Sequence, residues 1–91
     1  MCGSLLGLST VNAKTVRVPA EFPTINGGLI SADYGDTVLV SPGRYYENVT
    51  LVQGVVLMGT NPLECIIDGM RRGPAVYAVT GSEIAKFTIT N

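Results

Sequence analysis

The chain has 91 residues, 46% of them hydrophobic and 14% charged, with a formal net charge of −1 and no histidine. This length suits one small domain, and the charge gives no electrostatic footprint for nucleic acid or an anionic membrane surface. Without histidine, the commonest general base and metal ligand is missing, and we expect no metal or cofactor. The low charged fraction favours β-structure with little exposed helix.

Residues 1–13 differ in composition from the rest of the chain. Leu5-Leu6-Gly7-Leu8 is apolar, and Val11-Asn12-Ala13 resembles a signal-peptidase site before Lys14. Because the apolar part is short and no Lys or Arg precedes it, we interpret residues 1–13 as a truncated signal peptide or, alternatively, a disordered leader. A signal peptide predicts a secreted, periplasmic or cell-surface protein. No stretch approaches the roughly 20 apolar residues that span a bilayer.

The first regular elements are predicted to be a strand and a helix. Thr15-Val16-Arg17-Val18 alternates as a short strand does, and Pro19 ends it. A helical segment runs from Pro23 to about Asp33, with Thr24 as its N-cap. Its apolar stripe consists of Ile25, Leu29, Ile30 and Ala32. Gly27-Gly28 weakens this helix, so it must be held by packing on another element.

Short strands follow Asp36, separated by turns rich in Gly, Pro and Asn. The predicted strands are Thr37–Val40, Asn48–Leu51, Val55–Met58, Cys65–Ile67, Ala75–Val79 and Phe87–Thr90. Their spacing fits a sandwich, a barrel or a solenoid. The solenoid is favoured because no two-residue hairpin loop joins alternating strands and the strand–turn pattern repeats imperfectly. A single helix before the strands suits a cap that covers the first coil.

Residues Val16 to Asn91 carry several motifs in a recognisable order. They are Val18-Pro19-Ala20-Glu21-Phe22-Pro23-Thr24-Ile25, Gly35-Asp36-Thr37-Val38-Leu39-Val40-Ser41-Pro42-Gly43-Arg44-Tyr45-Tyr46-Glu47-Asn48-Val49, Val55-Val56-Leu57-Met58-Gly59-Thr60-Asn61-Pro62, Ile66-Ile67-Asp68-Gly69 and Phe87-Thr88-Ile89-Thr90-Asn91. This order resembles the opening of the pectin-lyase-like β-helix superfamily, which includes pectin methylesterases, NosD-type periplasmic proteins and surface β-helices. The resemblance implies an all-β fold: a right-handed parallel β-helix in which residues 14–91 form an N-terminal capping helix and two to three coils.

In such a fold, strand residues alternate between the interior and solvent. The residues predicted to point inward are Val38, Val40, Val55, Leu57, Phe87 and Ile89, and those predicted to face solvent are Thr37, Thr88 and Thr90. Asn91 is placed at a turn, where asparagines of successive coils can hydrogen-bond along the axis. Cys65 is predicted to be a small buried hydrophobe rather than a disulfide partner of Cys2.

The sequence predicts no catalytic residue. Carboxylates are the only candidates, at Glu21, Asp33, Asp36, Glu47, Glu64, Asp68 and Glu83. Pectin methylesterases use two aspartates, an arginine and glutamines on later coils, and those motifs have no counterpart here. Asp36 and Asp68 are therefore interpreted as turn residues.

Arg44-Tyr45-Tyr46-Glu47 is the candidate substrate-binding stretch. A tyrosine there can stack on a sugar ring while Arg44 and Glu47 bond its hydroxyls. The competing interpretation, which we favour, is that one tyrosine packs at a corner and the charges pair in solvent. Arg71-Arg72 fits either an acidic polysaccharide or a solvated loop, of which we favour the loop. Asn48-Val49-Thr50 matches a glycosylation sequon that overlaps a strand.

The predicted function is a structural, carbohydrate-associated β-helix module of an exported protein, with polysaccharide as a partner. The alternative is the N-terminal part of a polysaccharide-modifying enzyme that lacks its catalytic coils. A NosD-type accessory for metal or cofactor insertion is disfavoured because no His or Met cluster is present. The chain is expected to be a fragment, because Phe87-Thr88-Ile89-Thr90-Asn91 is predicted to be a strand with no cap after it. This strand carries no charge or proline, so the chain is expected to associate through its open edge.

Overall fold

The computed structural model describes residues 13–91, so the predicted leader lies almost entirely outside the described residues. These residues form one helix and nine strands. The helix α1 is Ile25–Ser31, and the strands are β1 Thr15–Val18, β2 Thr37–Val40, β3 Gly43–Tyr46, β4 Val49–Thr50, β5 Val56–Gly59, β6 Cys65–Asp68, β7 Val76–Tyr77, β8 Glu83–Ala85 and β9 Thr88–Thr90.

All strand pairs are parallel, and each strand pairs with a strand one coil away. The first sheet has the order β1-β2-β5-β8, the second β9-β6-β3, and the third β4-β7. The chain thus passes from one sheet to the next around a β-solenoid of roughly three turns, which confirms the fold class predicted from the sequence. Right-handed crossovers are the rule for such connections.

Inward side chains stack in columns, because parallel partners in register point to the same side of their sheet. In the first sheet, Val16, Val38, Leu57 and Ile84 occupy successive coils. The first three are at most 3% exposed, so they form the centre of the core. The predicted inward positions Val38, Val40, Val55 and Leu57 are buried.

One corner of the solenoid is built from three copies of the same turn. Gly35, Gly54 and Gly81 have φ of 94°, 80° and 83°, as the third residue of a type II turn requires. Each turn closes with an N–H bond to the carbonyl three residues earlier. Adjacent turns are joined as well, since Gly35 N donates to Gly54 O at 2.8 Å and Gly54 N to Gly81 O at 2.9 Å.

The helix α1 lies against the first two coils and covers their core. The Thr24 hydroxyl accepts the Gly27 N–H at 3.0 Å, which confirms the predicted N-cap. Ile25 and Leu29 are buried, but Ile30 is 83% exposed, so its place in the apolar stripe was predicted wrongly. A β-carbon on Gly28 would lie 2.9 Å from Val18 Cγ2, so this glycine allows the close approach of helix and sheet.

Two strands were not predicted, and two inward positions are only partly covered. The sequence predicts a turn and a binding stretch where β3 lies, and no element where β8 lies; β7 is shorter than predicted. Phe87 is partly buried against the core. Ile89 pairs with the buried Ile67 and therefore faces inward, yet it is 49% exposed because no described coil follows it.

Candidate functional site

The candidate site is the outward surface of the second sheet, where β3 lies beside β6. We call it the outer face and define it by Arg44 and Tyr46 of β3 with their partners Ile66 and Asp68 of β6. In the next coil, Thr88 and Thr90 of β9 extend the same two columns. The parallel register therefore brings together residues that are far apart in the sequence.

Arg44 and Asp68 form an ion pair on the outer face. The Arg44 Nε and Nη2 atoms lie 3.1 and 2.8 Å from Asp68 Oδ2. The Asp68 side chain is 8% exposed and that of Arg44 is 44% exposed, so the pair lies at the boundary between protein and solvent. Asp68 Oδ1 accepts from Met70 N at 2.9 Å and from Asn91 Nδ2 at 3.2 Å. These bonds lower the pKa of Asp68: the hydrogen bond from the Met70 N–H is the largest cause, and the hydrogen bond from Arg44 is the next.

Tyr46 is the aromatic side chain that the outer face presents to solvent. It is 61% exposed, and the Arg44 guanidinium carbon lies 5.9 Å from its ring centroid, within range of a cation–π contact. Since Asp68 holds the guanidinium on one side, Arg44 supports the ring while the rest of the ring remains accessible.

Tyr45 and Glu47, the other two predicted binding residues, are engaged within the fold. Tyr45 packs against the core, and its hydroxyl donates to Ser41 O at 2.8 Å. Burial is the main cause that raises the pKa of Tyr45. The Glu47 oxygens accept the N–H groups of Ile25 and Asn26 at 2.8 and 3.0 Å, so this carboxylate caps α1 from the following coil. Sugar contact by all four predicted residues stays a prediction.

Asp36 is a second buried carboxylate, at 1% exposure. It accepts from Asp33 N at 2.8 Å and Lys14 N at 3.0 Å, and the Lys14 Nζ lies 3.7 Å away. These N–H groups, Asp33 first, lower the pKa of Asp36. Asp36 closes a turn, as predicted. Asp68 was also predicted to be a turn residue, but it is the last residue of β6, and its Oδ1 accepts the N–H of Met70 just after the strand.

The remaining sequence candidates lie at corners. Arg71 and Arg72 are exposed in the connection from β6 to β7. The Asn48 amide donates to Gly69 O at 3.0 Å and Pro74 O at 3.1 Å, so the sequon nitrogen serves inter-coil hydrogen bonds. Asn91 bonds to Asp68 rather than to another asparagine side chain. Cys65 is buried, as predicted, and its thiol donates to Val40 O at 3.4 Å.

A separate cleft of about 340 Å³ lies beside β1 and the helix. It is lined by Lys14, Thr15, Val16, Glu21, Phe22 and Ser31, none of which belongs to the outer face. Within residues 13–91, no group of His, Cys, Asp or Glu side chains is arranged to hold a metal ion. The same part of the chain contains no helix long and apolar enough to cross a membrane.

Comparisons with family models, curated proteins and solved structures return no significant match to this chain.

Proposed function

We propose that this chain is a structural β-helix module of an exported protein that binds carbohydrate on the outer face. The observation that carries the proposal is the exposed Tyr46 ring beside the Arg44–Asp68 pair. The C–H face of a sugar packs on such a ring, and charged planar groups bond its hydroxyls. Thr88 and Thr90, on the same face, lie in one strand two coils farther along the axis than Arg44 and Tyr46.

The rigidity of the outer face favours binding over a flexible loop contact. Tyr46 and Arg44 lie on a strand, and Arg44 makes two hydrogen bonds to one oxygen of Asp68. Side chains that are already held lose less conformational entropy when a ligand binds. Glu47 and Tyr45 contribute indirectly, because their bonds to α1 and to Ser41 fix the two ends of β3.

The test is affinity electrophoresis or calorimetry of the 91-residue chain with pectin, xylan and a soluble β-glucan. We expect at least one of them to bind, and Tyr46→Ala to weaken that binding by roughly tenfold, which corresponds to about 1.4 kcal/mol. Tyr46→Phe should retain most of the affinity, since it keeps the ring.

Tyr34→Ala is the matched control. Tyr34 is 70% exposed, but it lies at the corner built from the turns of Gly35, Gly54 and Gly81 and not on the outer face. Equal losses in Tyr34→Ala and Tyr46→Ala would contradict the assignment to the outer face. Unchanged binding in Tyr46→Ala would do so as well.

We further propose that the 91-residue chain self-associates through its last described coil. Among residues 13–91, the strands β7, β8 and β9 each have a sheet neighbour on one side only. An unpaired strand edge pairs readily with another strand. The apparent mass in solution, measured over a range of protein concentrations, tests this proposal. We expect it to rise above the 9.6 kDa of one chain as the concentration increases.

A further inference from the structure

The two charges of the outer face cancel each other. Arg44 and Asp68 are the only charged residues among those that define or extend this face, and their charged atoms lie 2.8 Å apart. The chain as a whole has six basic and seven acidic side chains, for a formal net charge of −1, so it has no positive field that would attract a polyanion. The outer face therefore offers hydrogen-bonding groups without a net charge.

The Asp68 carboxylate is fixed in its position beside Arg44. Its Oδ2 accepts both bonds from Arg44, and its Oδ1 accepts from Met70 N and Asn91 Nδ2. Because the side chain is only 8% exposed, turning it away would leave these donors unpaired. An acidic ligand that approached Arg44 would therefore meet a guanidinium already bonded to a carboxylate, and like charges brought together disfavour binding.

Arg44 nevertheless keeps donors for uncharged partners. A guanidinium has five N–H donors in a fixed fork, and Asp68 accepts one from Nε and one from Nη2. Within residues 13–91, Arg44 donates to no other acceptor, and its side chain is 44% exposed. The remaining N–H groups can donate to sugar hydroxyls, while the adjacent Tyr46 ring packs on the C–H face of the sugar.

From this charge balance we infer that the saccharide bound by the outer face is a neutral one, and that Asp68 determines this specificity; the inference rests on the carbohydrate binding proposed above. Asp68 orients the Arg44 fork for hydroxyl groups and at the same time removes its attraction for a carboxylate. Without Asp68, the same guanidinium would be a half-exposed cation suited to binding a carboxylate in a bidentate manner.

Arg71 and Arg72 are exposed cations, but they lie away from the outer face. Gly69 O and Pro74 O both accept from Asn48 Nδ2, at 3.0 and 3.1 Å. The two ends of this connection therefore meet at the corner between the second and third sheets, and the two arginines project from that corner. Their influence on an acidic polymer can be separated from that of the outer face by mutation.

Affinity electrophoresis of the 91-residue chain at neutral pH tests the inference with polymers in matched neutral and acidic forms. The pairs are soluble β-glucan with its carboxymethyl derivative, and methyl-esterified pectin with its de-esterified form. We expect a neutral form to bind roughly tenfold more tightly than the acidic form of the same backbone, because of like-charge repulsion. Added salt should strengthen binding of the acidic form by screening this repulsion and should leave binding of the neutral form unchanged.

Asp68→Asn should increase the affinity for the acidic form by roughly tenfold, because it leaves Arg44 as an uncompensated cation. Asp36→Asn is the matched control. It also replaces a buried carboxylate that accepts backbone N–H groups, and it changes the net charge equally, but Asp36 lies beside β2 in the first sheet. This control and Arg71→Gln/Arg72→Gln should both keep the preference for the neutral form.

The outcomes separate neutral selection from carbohydrate binding itself. If neither form of either polymer binds, carbohydrate binding on the outer face is overturned. If the unmodified chain binds an acidic form at least as tightly as the neutral form, or if Asp68→Asn keeps the preference, only neutral selection by Asp68 is overturned. Loss of the preference in Asp36→Asn would overturn it as well, since net charge would then be the cause. If Asp68→Asn fails to fold by circular dichroism, the salt series decides, and weaker binding of the acidic form at higher salt would contradict the inference.

Discussion

At the scale of single residues, the fold depends on positions where a side chain would occupy space that another coil needs. Gly54 is the clearest case, because it combines φ of 80° with a neighbouring aromatic ring. A β-carbon there would lie 2.2 Å from Tyr34 Cδ2. Gly59 faces backbone instead, since its β-carbon would lie 2.1 Å from Lys86 O. Both glycines hold adjacent coils at the spacing of the β-ladder.

Gly54→Ala should destabilise the chain more than Gly73→Ala. Both positions have positive φ, which costs a non-glycine residue roughly 1–2 kcal/mol. Gly73 has open space around it, with Tyr77 Oη 3.6 Å from the added carbon, whereas Gly54→Ala must also displace the Tyr34 ring. We expect an additional loss of about 1 kcal/mol in the free energy of unfolding, measured by urea denaturation. Equal losses would show that the ring moves aside without cost.

At the scale of elements, α1 is stabilised by tertiary contacts rather than by its own sequence. It has seven residues, two of which are glycines, so it has little intrinsic stability. The Glu47 carboxylate caps its first turn, and Asn26 donates to Asn48 O at 3.0 Å. These bonds attach the helix to the next coil, while Leu29 and Ile25 seal the core.

Leu29→Ala should lower the free energy of unfolding by about 2 to 4 kcal/mol, since Leu29 is 1% exposed and its removal leaves a cavity under the helix. Ile30→Ala, on the exposed side of the same helix, should change it by less than about 0.5 kcal/mol. Urea denaturation midpoints of the two variants give the comparison. An unchanged midpoint in Leu29→Ala would mean that α1 does not act as a cap.

The strands that were predicted correctly are those in which β-branched residues occur in an alternating inward and outward pattern. Thr37-Val38-Leu39-Val40 is a strand whose in–out pattern matches the burial observed. The strands β3 and β8 were missed because Gly43-Arg44 and Ser82-Glu83 interrupt that pattern, and their pairing with β6 and β5 overrides local preference. Ile30 was wrongly predicted to be buried. In a helix of only seven residues, the contacts with other elements decide which side is buried, and these contacts cannot be read from the helix sequence.

The candidate site could be predicted only in part. The Arg44-Tyr45-Tyr46-Glu47 stretch was recognised from its chemistry, but its partners depend on coil register. Asp68 lies 24 positions from Arg44, and Glu47 lies 22 positions from Ile25. In the first sheet the spacing between coils varies, from 19 residues between Val38 and Leu57 to 27 between Leu57 and Ile84, and this irregularity conceals the register. In the second sheet, Arg44, Ile66 and Thr88 follow one another at an equal spacing of 22 residues, which is the signal that could have aligned them.

At the scale of the whole molecule, successive coils are linked by buried carboxylates as well as by the β-ladders. Asp36 receives the Lys14 N–H from the preceding coil, and Asp68 joins Arg44 of the preceding coil to Asn91 of the following one. Both carboxylates accept N–H bonds that favour the ionised form and lower the pKa. Stability of the solenoid should therefore depend on pH.

The direction of this dependence follows from the two lowered pKa values. The pKa of an aspartate in the unfolded chain is about 3.9, and the pKa values of Asp36 and Asp68 in the folded chain are lower. Between those values the unfolded state binds more protons, so stability rises with pH there. The contribution is fully present above the unfolded pKa and is lost as pH falls through the folded pKa. The urea midpoint should thus be constant near neutrality and decline below about pH 4.

Asp68→Asn separates this effect from the titration of other carboxyls. The variant should be less stable than the unmodified chain at neutral pH, and its midpoint should decline less steeply in acid, because one linked group is gone. Glu64→Gln is the matched control, since Glu64 is exposed and its removal should leave the acid decline intact. If Asp68→Asn and the unmodified chain lost the same stability on acidification, the Asp68 carboxylate would not be linked to folding. The acid sensitivity would then have to come from Asp36 or from the surface carboxylates.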